Sequence, residues 1–122
     1  MTTKYGMEIS RDMECSKYED LIGQFFKILP LREHGSTTIV QYMEGLLREM
    51  QGLEQLILEW NNDGQFLSLL GILQYHIDHP DCGLDIVRSD IFKAINIIKR
   101  LQNKYATEQH DGGELHECMG RI

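Results

Sequence analysis

Seven apolar residues, Ile39, Met43, Leu46, Met50, Leu53, Ile57 and Trp60, follow one another at steps of 4, 3, 4, 3, 4 and 3. A spacing that alternates between three and four puts all of them on one stripe of an α-helix, and only a helix keeps such a series facing one way. The stretch from Ser36 or Thr37, either of which can cap it, to Trp60 is therefore predicted as one long helix whose seam must be covered by other helices. Gly45 and Gly52 weaken it by about 1 kcal/mol each relative to alanine, and both lie off the seam. Asn61-Asn62-Asp63-Gly64 then reads as a turn.

The rest of the chain follows the same pattern. Ser16-Lys17-Tyr18-Glu19 has the capping-box form, and Tyr18, Leu21, Ile22, Phe25, Ile28 and Leu29 form one apolar face of a helix that Pro30 should end. A third helix, Gln65 to about Ile77, carries no charge; apolar on nearly every side, it is expected at the centre of the domain. A fourth, from Leu84 or Ser89 to Tyr105, packs Ile91, Ala94, Ile95, Ile98, Leu101 and Tyr105. The expected fold is all-α: a single-domain bundle of four main helices over residues 16–105. A flexible N-terminal arm (1–15) and a flexible C-terminal tail (106–122) flank it. At 122 residues the chain fits one domain.

Charge is the second constraint. Between Gln41 and Asp85 stand eight acids and one base, which account for the whole formal net charge of −7, while the remaining acids and bases cancel. Such segregation makes a one-sided field that governs partners and association rates more than fold. The acids concentrate at two turns: Glu59, Trp60, Asn62 and Asp63 mark one, and Asp78, Asp81 and Asp85 the other. These seven residues are the candidate partner-binding set, with Trp60 as an aromatic anchor. Lys93, Arg100 and Lys104 form a basic stripe on the last helix, without interleaved aromatics, so direct binding of nucleic acid is not expected.

Little in the sequence points to chemistry. His76-Ile77-Asp78-His79-Pro80-Asp81-Cys82 gathers ligand-type residues, but Pro80 breaks the helix beneath them and no second pair stands at a metal-binding interval. His110 to Cys118 repeats these residue types in the tail. A thiol nucleophile at Cys82 needs a histidine and a group that orients it, and no orienting group stands nearby in sequence. A bridged di-metal bundle needs Glu-x-x-His pairs, which are absent, as is a phosphate-cradling glycine loop. The expectation is a binding protein and not an enzyme, with no catalytic residues, no metal and no cofactor. No apolar run approaches a bilayer span. Three cysteines, Cys15, Cys82 and Cys118, an odd number at unrelated spacings, suggest free thiols and a cytoplasmic protein.

In its size, its acidity and its lack of motifs, the chain resembles small helical immunity proteins of bacterial contact-dependent toxin systems. The resemblance is one of general character across the bundle, and no residue role comes with it. It implies a basic protein partner, such as a toxin or nuclease domain, whose active site the protein would block, with no membrane in the encounter. The alternatives are a helical regulatory adaptor or a homodimer paired through the heptad seam, and, third, a helical enzyme using His76, His79 or Cys82.

Overall fold

The computed structural model describes residues 1–108. It is all-α, as the periodicities require: α1 (Arg11–Phe26), a short α2 (Ile28–Glu33), α3 (Ile39–Leu56), a 3₁₀ turn (Leu58–Trp60), α4 (Gly64–Asp78) and α5 (Leu84–Glu108). Helix α5 packs against α1, α2 and α4, and α3 packs against α2 and α4. One continuous apolar core runs through all of them, built on Tyr18, Phe25, Met50, Trp60, Phe66, Leu69, Ile91 and Ile98. No helix among the described residues is long and apolar enough to cross a membrane.

Several boundaries differ from expectation, each for a local reason. Helix α1 begins one and a half turns before Ser16, because Ser10 is its cap: Ser10 sits in extended backbone and its hydroxyl oxygen accepts the Met13 N–H. The preceding residues are not a loose arm. The Lys4 N–H donates to the Leu56 carbonyl at 2.7 Å, the Leu58 N–H donates to the Thr2 carbonyl at 3.0 Å, and Met1 is buried in the core. Pro30 does not end the first helix. The break falls at Lys27, and Pro30 is the third residue of α2, where its missing N–H would have had no partner anyway. Gly35, at φ +65°, then supplies the left-handed residue that closes α2, with the Ser36 N–H reaching back to the Leu31 carbonyl.

The seam holds through Leu53, with Met43, Leu46 and Met50 buried against neighbouring helices. It then leaves the helix: Ile57 is extended and bridges to Thr3. Both it and Trp60 still point into the core. The stripe therefore serves the domain's own interior. Helix α4, expected at the centre, has a solvent face instead: Phe66, Leu69, Leu73 and His76 are buried, but Leu67 and Tyr75 are exposed. Helix α5 occupies the middle position, and it continues through Glu108. The remainder of the tail, with His110 to Cys118, lies outside the described residues.

Candidate functional site

The two acidic turns stand at opposite ends of α4, about 22 Å apart at 1.5 Å per residue. Their chemistry differs.

At the N-terminal end, Asp63 is a structural carboxylate. Its Oδ1 accepts the N–H groups of Gln65 at 2.9 Å and Phe66 at 3.0 Å, capping α4. Its Oδ2 accepts from the Lys104 ammonium at 2.9 Å and from the Tyr105 hydroxyl. That hydroxyl also lies 2.6 Å from the Glu59 carbonyl, so a single proton is shared between two acceptors. Burial alone would raise the Asp63 pKa; the hydrogen bonds from Tyr105, Lys104 and the Phe66 N–H together overcome it and hold the carboxyl below its ordinary value. Tyr105 is pushed up to about 12, first by burial and then by its hydrogen bond to Asp63. Neighbouring residues are tied in as well. Glu59 Oε1 accepts the Thr2 N–H at 3.0 Å. Asn62 adopts φ 61° and donates its N–H to Glu54. Trp60 is fully buried, stacked on Phe66 at 4.9 Å. It is a core residue and not a surface anchor. Lys104, one member of the expected basic stripe, is held by Asp63.

At the C-terminal end, Asp78, Asp81 and Asp85 are all exposed. Asp78 accepts a hydrogen bond from Gln74, and among the described residues no ion pair involves any of the three. Asp85 stands in the first turn of α5, where a negative charge complements the helix dipole. His79 stacks on Tyr75 and lies 2.9 Å from the Tyr75 carbonyl through Nδ1, which therefore carries the proton.

Beneath these carboxylates lies an arrangement the sequence does not display. His76 is 4 % exposed. Its Nε2 is 2.8 Å from Asp90 Oδ2, and its Nδ1 is 3.4 Å from the Cys82 sulfur. A carboxylate only accepts, so Nε2 carries the hydrogen and Nδ1 is left to accept the Cys82 S–H. Arg32 from α2 donates to the Cys82 carbonyl, and the Cys82 N–H donates to the His79 carbonyl at 3.3 Å. Three elements thus fix the loop that carries the thiol: α2 through Arg32, the end of α4 through His76 and His79, and α5 through Asp90. The one legible sign was Asp90, a charge set between Val87 and Ala94 on the apolar stripe of α5.

No family model, curated protein or solved structure matches the chain.

No group of three or more His, Cys, Asp or Glu side chains among the described residues is arranged to hold a metal ion. At His76 the reason is plain, since both ring nitrogens already face other side chains. Cys82 is a free thiol, whereas Cys15 is disulfide-bonded. That corrects the expectation of three free thiols and removes the argument for a reducing compartment built on it. A cavity of about 280 Å³ opens between the N-terminal segment, α1 and the end of α3, lined by Met7, Ile9, Met13, Leu53 and Trp60 among others. Glu14 borders it, buried, with Oε2 lacking a hydrogen-bond partner among the described residues. Burial raises the Glu14 pKa above its ordinary value, against the opposing pull of the Met1 ammonium, the Tyr18 hydroxyl and Arg11.

Proposed function

We propose that the protein captures a basic protein partner through the α4–α5 end, with Asp78, Asp81 and Asp85 as the carboxylates that meet it. The observation that carries this reading is the contrast between the two turns. The carboxylate of Asp63 is satisfied inside the fold, while the three at the other end are exposed and form no ion pair among the described residues. Exposed carboxylates without an ion-pair partner attract a cationic surface and speed its approach. Combined with a net charge of −7, this suits an inhibitor that covers the cationic cleft of a nuclease or toxin domain, as an immunity protein does.

The test is capture from a lysate of the source cell by the wild-type protein and by an Asp78→Asn/Asp81→Asn/Asp85→Asn variant, each at low and high salt. The reading expects a basic protein retained by the wild type at low salt, released by salt, and not retained by the variant. Retention of the same partner by the variant, or indifference to salt, would refute it.

A further inference from the structure

The Cys82–His76–Asp90 arrangement lies beneath the acidic surface and has its own chemistry. We infer that Cys82 is a nucleophilic thiol, with His76 as its base and Asp90 as the residue that positions the base, and that it undergoes exchange with small cationic or neutral disulfides. Three observations carry this. First, thiol and imidazole are in direct contact at 3.4 Å, with the accepting nitrogen turned to the sulfur. Second, the opposite nitrogen is held by a carboxylate at 2.8 Å, which fixes the tautomer and steadies the imidazolium that proton transfer creates; this is the recurring logic of an activated nucleophile. Third, the base is buried and tied to α5 through Asp90, while Cys82 is only part-buried, which shields the base from water and leaves part of the Cys82 residue at the surface.

The exchange balances without any other reagent. His76 Nδ1 takes the thiol proton as the sulfur attacks one sulfur of the incoming disulfide. The new S–S bond forms as the old one breaks, and the electron pair departs on the second sulfur. The imidazolium returns the proton to that leaving thiolate. Cys82 ends in a mixed disulfide and one small thiol is released. Selectivity follows from charge. Asp78, Asp81 and Asp85 stand exposed within four residues of Cys82, and Asp90 lies behind its base. The nearby cation, Arg32, is directed to the Cys82 backbone carbonyl. An anionic disulfide therefore meets repulsion where a cationic one is drawn in.

The experiment follows adduct formation by intact mass at pH 7 with cystamine (cationic) and dithiodiglycolate (anionic). Each rate is normalised to that of N-acetylcysteine amide with the same reagent, and Cys82→Ser identifies the adduct site. His76→Gln keeps a donor toward Asp90 but removes the base beside the sulfur. Asp90→Asn keeps a hydrogen-bonding partner, yet its amide can donate to Nε2 and turn Nδ1–H toward the sulfur. The expected result is a wild-type rate with cystamine above that of the amide, and a preference for cystamine over dithiodiglycolate. Both variants should react at least about tenfold more slowly, a threshold set below the roughly 10²–10⁴-fold that a positioned base typically contributes. A merely structural Asp90 would leave the Asn variant's rate unchanged. Equal rates in wild type and Asp90→Asn, or a wild-type rate no greater than the amide's, would overturn the inference even if His76→Gln failed to fold.

Discussion

Asp63 is the point where one side chain holds most, and Asp63→Ala should show it. The substitution removes the cap from α4, worth about 1 kcal/mol. It also removes a charged acceptor from the Tyr105 hydroxyl, a class of bond worth about 1.5–3 kcal/mol. The Lys104 pair adds little, because the lysine is half exposed and its charge is screened by solvent. Tyr105 can still donate to the Glu59 carbonyl, which offsets part of the loss. The net cost is therefore set at about 2–4 kcal/mol. In urea unfolding at pH 7 this appears as a midpoint lowered by about 1–2 M. Asp63→Asn keeps the cap, since asparagine caps as well as aspartate, but still removes the charged acceptor from the Tyr105 hydroxyl, so it should cost about 1–3 kcal/mol. The Asp63 carboxyl is held below its ordinary value of 3.8 in the folded protein. Its ionised form therefore stabilises the fold above that pH, and the contribution is lost as the pH falls through the lower folded value. The gap between wild type and Asp63→Asn should accordingly shrink below pH 3.8. A gap that stays constant with pH, or an Asp63→Ala protein as stable as wild type, would refute the assignment.

Glu14 has the opposite sign. Its pKa is raised above 4.5 in the folded state, so ionising it costs stability as the pH climbs past that value. Glu14→Gln should stabilise the protein by about 1 kcal/mol at pH 7, with the gain fading below pH 4.5 in the same urea assay. Trp60→Ala should cost about 3–5 kcal/mol, as for a large core aromatic, and any partner bound at Asp78–Asp85 should still bind the fraction that remains folded. Leu67→Lys, on the exposed face of α4, should change stability by no more than about 0.5 kcal/mol. A large loss by thermal melting would mean that this face is covered after all.

The heptad of α3 and the apolar face of α1 could be read directly, because core-facing residues repeat at the helical period whatever surrounds them. The same reasoning overreached at Ile57 and Trp60: they keep the seam's spacing and its burial, but a backbone pairing with Thr3 pulls them out of the helix. Absence of charge from Gln65 to Ile77 suggested burial all round, yet Leu67 and Tyr75 face solvent, since an uncharged surface is tolerated where neighbouring acids supply solubility. Ser16 offered a capping box by pattern, and Ser10 took the role because residues 1–9 fold back and start the helix earlier. The acids at both ends of α4 were visible in the sequence; which were satisfied was not, because the partners of Asp63 come from α5, some forty residues on. Likewise the orienting group for His76 is Asp90, fourteen residues away on another helix. Long-range side-chain pairs of this kind depend on how helices pack, and the charge of Asp90 beside an apolar stripe marks the residue without naming its partner.

The most direct test of the α4–α5 end as the binding surface is amide chemical-shift mapping on the labelled protein as the captured basic partner is added. The expected result is perturbation centred on Asp78 to Asp85, with the Glu59–Asp63 turn unmoved. Perturbation centred on Glu59–Asp63, or spread evenly over the bundle, would contradict it.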